Sequence, residues 1–71
     1  METYRVFSRK PWRRESGRYV PNPGARKMTV QRGCTLEQAR ELCTLGPANR
    51  ARDAGREYRG QTFYEFEREE K

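Results

Sequence analysis

Aromatic rings interleaved with cations are the residues of this chain best suited to chemistry, and that chemistry is recognition of an anion. Lys10, Trp12, Arg13, Arg14, Arg18 and Tyr19 alternate the two types along one short stretch, and Arg5, Phe7 and Arg9 do so just before it. A ring offers a face on which a base stacks, while a guanidinium meets phosphate as a planar fork or stacks itself. Only Lys10, Lys27 and Lys71 among the basic residues are lysine. These side chains also allow a structural reading. Phe7 and Phe63 suit a cross-strand pair, with Glu65 and Glu67 as partners for Arg5 and Arg9. Trp12 and Tyr19 suit a lid that pins their segment to the core while the arginines stay solvated.

Other chemistry finds little support. Histidine is absent, which removes the commonest general base and metal ligand. There is no glycine-rich phosphate loop, serine elbow or metal-ligand cluster. No catalytic residue, metal or cofactor is therefore expected. Cys34, just before a helix start, is placed for a lowered thiol pKa but has no histidine to serve as base. Cys34 and Cys43 lie at opposite ends of one expected helix. Nine residues of helix rise about 13 Å, beyond the roughly 7 Å limit for disulfide Cα atoms. Both thiols are expected reduced, with Cys43 as a small buried hydrophobe, which fits an intracellular compartment.

The elements that must position the candidates follow from periodicity. Thr3 to Arg9 alternates and is rich in β-branched and aromatic residues, as a strand requires. Arg26 to Arg32 alternates too, and Gly33 closes it. Thr35-Leu36-Glu37-Gln38 is a capping box, followed by an apolar stripe of Leu36, Ala39, Leu42 and Cys43. Gly46-Pro47 stops that helix. Residues 47–54 allow a further short helical turn, and Asn49, Arg50, Arg52 and Arg56 read as a solvated basic surface. Thr62 to Glu67 is a third strand. Residues 10–25, with three prolines and two glycines, read as a long basic loop, and residues 68–71 as a solvated charged tail.

The expected fold is thus α+β in the order β-β-α-β: a three-stranded antiparallel-type sheet of spatial order 2-1-3 with one helix on one face. The last two strands would be parallel and joined by a right-handed crossover. Tyr4, Val6, Met28, Val30, Tyr64 and Phe66 would face Leu36, Ala39, Leu42 and Cys43. The other face would carry Arg5, Phe7, Arg9, Lys27, Thr29, Gln31, Phe63 and Glu65.

Seventy-one residues, 32% hydrophobic and 37% charged, make a single small domain with one modest core. The net charge of +6 is polarised, with +7 over residues 1–33, +1 over 34–60 and −2 over 61–71. Such a field steers towards nucleic acid, anionic lipid or an acidic protein patch. No apolar run reaches the length of a membrane span and no signal-peptide core follows the N-terminus, so neither membrane association nor export is expected.

The strand, the turn rich in proline and glycine, and the segment built on Gly33, Thr35, Leu36, Glu37, Ala39 and Cys43, with the close Phe63-Tyr64-Glu65-Phe66, resemble short accessory proteins encoded by small bacteriophages. That resemblance implies a compact β-β-α-β body acting in the bacterial cytoplasm and brings no activity with it. The function expected is a non-enzymatic basic module that binds nucleic acid or another polyanion through its arginine-rich first half. A modulator that docks on a host enzyme or defence complex is the alternative, followed by a virion or assembly component. Direct contacts are assigned to Arg5, Arg9, Lys10, Arg13, Arg14 and Arg18, and stacking to Phe7, Trp12 and Tyr19.

Overall fold

The computed structural model describes residues 2–70. Five strands and two helices follow one another as β1 (Tyr4–Arg9), β2 (Trp12–Glu15), β3 (Arg18–Pro21), β4 (Met28–Cys34), α1 (Leu36–Cys43), α2 (Pro47–Asp53) and β5 (Phe63–Arg68). One sheet has the order β4-β1-β5, with β1 antiparallel to both neighbours, and β2-β3 form a second, two-stranded antiparallel sheet. The fold is α+β, with two corrections to expectation. The single sheet of order 2-1-3 gives way to two sheets because residues 10–25 fold as a hairpin instead of a loop. The single helix becomes two.

Helix α1 starts as its sequence dictates. Thr35 Oγ1 accepts from Gln38 N at 3.1 Å and Gln38 Oε1 accepts from Thr35 N at 3.0 Å, so two otherwise unpaired amides are satisfied reciprocally. Pro47 opens α2, where a missing N–H costs nothing. This second helix covers the outer edge of β5. Ala48 N donates to Thr62 O at 2.9 Å, Asn49 Oδ1 accepts from Tyr64 N at 2.9 Å, and Asn49 Nδ2 donates to Tyr64 O at 3.1 Å. The Asn49 amide thus replaces a missing neighbouring strand. Gly46 lets the helix approach this closely, since a Cβ there would lie 2.8 Å from Tyr64 N. Asn49, expected on a solvated surface, is 8% exposed.

The core is small. Val6, Cys34 and Ala39 are fully buried, with Tyr4, Leu42, Cys43 and Tyr64 packed around them. Met28 and Val30, expected inside, are 64% and 42% exposed, and Phe66 lies at the rim against the Tyr4 ring. Met28 stands opposite Ser8 and so keeps the face of Val6, but at the open end of the edge strand, whereas a bulge in β4 explains Val30. Val6 pairs with Gln31 while Phe7 pairs with Thr29, so Val30 has no partner of its own and the alternation slips. A second irregularity falls between Gln31 and Cys34, where Gly33 adopts φ +68°. Cys34 becomes the buried thiol and Cys43 the half-buried one. The expected charged tail is also tied down: Arg68 belongs to β5, Glu69 N donates to Thr3 O at 2.9 Å, and Glu69 Oε1 accepts from Gly33 N at 2.7 Å. Lys71 lies outside the described residues.

Candidate functional site

Strand pairing decides which cations remain available. On the sheet face opposite α1, Arg5, Phe7 and Arg9 stand directly across from Glu67, Glu65 and Phe63. Arg5 bridges Glu67 at 3.1 Å, Lys27 bridges the same carboxylate at 2.9 Å, and Arg9 grips Glu65 with two guanidinium nitrogens. Lys27's hydrogen bond, with the Arg5 charge beside it, holds the Glu67 carboxyl below its ordinary pKa. Phe7 is 5% exposed under Lys27 Nζ, 4.6 Å from its ring centroid, and Arg5, 5.4 Å away. Phe63 is 8% exposed, edge-on to Tyr58 and beneath Arg52. The two rings are therefore covered by long cationic side chains, and the β1 cations are neutralised by acids of β5.

The remaining candidates sit on the hairpin. Ser16 and Gly17 both have positive φ, +51° and +81°, the requirement of a two-residue type I′ turn whose twist matches the flanking strands. Trp12 pairs with Pro21, Arg13 with Val20, Arg14 with Tyr19 and Glu15 with Arg18. Since paired residues share a face and alternate ones point together, Trp12, Arg14, Tyr19 and Pro21 form one face. Arg13, Glu15, Arg18 and Val20 form the other. At the base, Asn22 N donates to Pro11 O at 2.8 Å, fixing where the ribbon leaves the body.

The loop after α2 braces the first of these faces. Glu57 accepts from the backbone N–H groups of Tyr58 and Arg59 and from the Arg59 guanidinium, all within 3.1 Å. Those bonds, the Arg59 side chain's first, hold the Glu57 carboxyl at about 2. Arg59, held in this way, lies 5.9 Å from the Tyr19 ring centroid. A Cβ at Gly60 would lie 2.7 Å from Tyr19 Oη and 3.3 Å from Cζ, so the ring rests against that glycine. The result is a groove of about 370 Å³ lined by Lys10, Trp12, Arg13, Arg14, Tyr19, Asn22 and Gly60. Trp12 also borders a second depression with Arg9, Asn49, Arg52, Tyr58, Phe63 and Glu65.

Of the expected site residues, the groove brings together Lys10, Trp12, Arg13, Arg14 and Tyr19. Arg13 borders the groove although it belongs to the opposite ribbon face, and Arg18, on that same face, does not line it. Arg5 and Phe7 are spent within the sheet, and Arg9 approaches Trp12 with its guanidinium already held by Glu65. Arg13 forms an exposed pair with Glu15 at 3.1 Å, whereas Lys10, Arg14, Arg18 and Arg26 have no ion pair among the described residues. Sequence reasoning missed Glu57, Arg59 and Gly60. Their signal is weak, a Glu-Tyr-Arg-Gly segment whose role depends on a ring about forty residues earlier. No group of acids and cysteines able to hold a metal ion occurs among the described residues, and no described helix is long and apolar enough to cross a membrane. No protein-family model, curated protein or solved structure matches the chain.

Proposed function

We propose that this protein is a non-enzymatic binding module that takes nucleic acid, or another polyanion, on its basic hairpin. The observation that carries the reading is that Lys10, Arg14 and Arg18, which have no ion pair among the described residues, lie on or beside the same ribbon as the half-exposed rings of Trp12 and Tyr19. Cations already paired with carboxylates add little to an incoming anion, because the carboxylate competes for the same guanidinium. The contacts therefore come from the hairpin and not from β1.

Fluorescence anisotropy of a labelled oligonucleotide tests this. Three phosphate contacts imply an affinity that falls about 20–40-fold between 50 and 200 mM salt. Joint Arg14→Glu and Arg18→Glu substitution should abolish most of the binding and flatten the salt slope, while Arg5→Gln should leave both nearly unchanged. Binding that persists in the double variant, or that depends equally on Arg5, would refute the assignment.

A protein partner is the second reading, supported by the edge of β4. That strand lies at the margin of its sheet with Met28 and Val30 exposed, whereas α2 seals the opposite margin. In that case the protein modulates a host enzyme or defence complex as a phage-type accessory factor in the bacterial cytoplasm. A stoichiometric protein retained in a pulldown after nuclease treatment, together with no oligonucleotide binding, would favour it.

A further inference from the structure

We infer that the groove between Trp12 and Tyr19 selects single-stranded nucleic acid by stacking an unpaired base, with the adjoining phosphates on Lys10 and Arg14. This inference rests on the polyanion reading above and names the substrate class of that site.

The two rings are diagonal neighbours on one ribbon face, since Trp12 pairs with Pro21 and Tyr19 with Arg14. Diagonal positions stand about 7–8 Å apart. Both side chains line the one groove, so a base that enters it has an aromatic wall to stack on. Neither ring is spent on another ring: the aromatic pairs among the described residues are Tyr4–Phe66 and Tyr58–Phe63. Tyr19 is also held in advance, by Arg59 over its ring and Gly60 against its hydroxyl end. A pre-positioned ring loses little conformational entropy when a base arrives, which favours stacking.

Size and wall chemistry narrow the ligand further. At about 370 Å³ the open groove has room for a nucleoside-sized group against its aromatic wall. Bases inside a duplex already stack on both faces and present only their edges to a protein. A groove with aromatic walls therefore gains from a strand whose bases are free, and a bare phosphate chain would leave both rings unused. Because every base has a π-face, the selectivity is for single strands over duplex and not for sequence.

Trp12 is the only tryptophan, so the site carries its own fluorophore. The probes are a ten-residue oligothymidylate, the same strand annealed to its complement, and inorganic polyphosphate. Oligothymidylate should bind tightest and quench Trp12 emission, whereas polyphosphate should bind without quenching. Trp12→Ala should weaken oligothymidylate about tenfold by anisotropy and leave polyphosphate unchanged, and Trp12→Phe should retain most of the affinity. The wild-type quenching comparison needs no variant and stands even if Trp12→Ala loosens the ribbon. Equal binding of single strand and duplex, or oligothymidylate binding without quenching, would overturn base stacking while leaving polyanion binding intact. Failure of all three probes to bind would overturn the polyanion reading and this one with it.

Discussion

At the residue scale, a few side chains carry disproportionate weight. Asn49 is the clearest, because its amide meets both backbone polar groups of Tyr64 in a partly buried setting. Asn49→Ala leaves those groups without partners, and urea unfolding should show a loss of about 1–3 kcal/mol. Glu67 and Glu57 are the carboxylates that tie stability to acid pH, modestly because both are solvent-exposed. Their folded pKa values lie below the unfolded carboxylate value, Glu67 through Lys27 and Arg5 and Glu57 through Arg59. Such groups contribute stability fully above the unfolded value of about 4.3, and that contribution is lost as pH falls towards the folded values. The thermal midpoint should hold steady from neutral pH to about 5 and decline below it, with a shallower decline in Glu67→Gln. An unchanged acid limb in that variant would show that the Lys27–Glu67–Arg5 cluster adds nothing to stability. Burial pushes the half-buried Cys43 thiol up, away from reactivity at neutral pH.

At the scale of elements, the two sheets differ in what supports them. β1 lies between two strands and under α1, whereas β2 and β3 have mainly each other and the brace at Tyr19. An isolated two-stranded hairpin is marginal in water, so the I′ turn matters. An alanine at Gly17, where φ is +81°, costs about 1–2 kcal/mol. Gly17→Ala should speed amide exchange across residues 12–21 while protection at Val6, Cys34 and Ala39 stays the same. Equal acceleration in both regions would mean that the ribbon and body open as one unit. The capping box of α1 and the cover that α2 gives β5 belong to the stable part.

At the scale of the whole molecule, shape follows from the projecting ribbon and thin body. The Cα extents are 46 × 27 × 12 Å and the radius of gyration is 13.2 Å, against about 11 Å for a compact domain of this length. The accessible surface, 5491 Å², likewise exceeds the roughly 4,650 Å² that scaling gives for its mass. So little burial implies a net stability of a few kcal/mol, about 3–5. Small-angle scattering from the monomer should return a radius above about 11 Å. A value at or below that would mean the ribbon folds back over the sheet and closes the groove. The charge polarity of the chain is likewise reorganised on folding, since β5 brings its acids to β1 and leaves the free cations of the N-terminal half on and beside the ribbon.

Local chemistry was enough to determine the α+β class, the alternation of β1 and β5, and the start of α1, because a capping box and a period of two or 3.6 are complete within a few neighbouring residues. Residues 10–25 read as a loop because of the prolines at 11, 21 and 23, and the hairpin became evident only from the pairing of β2 with β3 across Ser16 and Gly17. Tertiary structure alone decided the rest. The slip at Val30 depends on which residue of β1 faces it, and the neutralisation of Arg5 and Arg9 depends on β5 arriving in register. The groove wall at Tyr19 depends on Gly60 and Arg59, which only chain folding brings near. A cation's availability is a property of its partners in space, and those partners here lie more than fifty residues away along the chain.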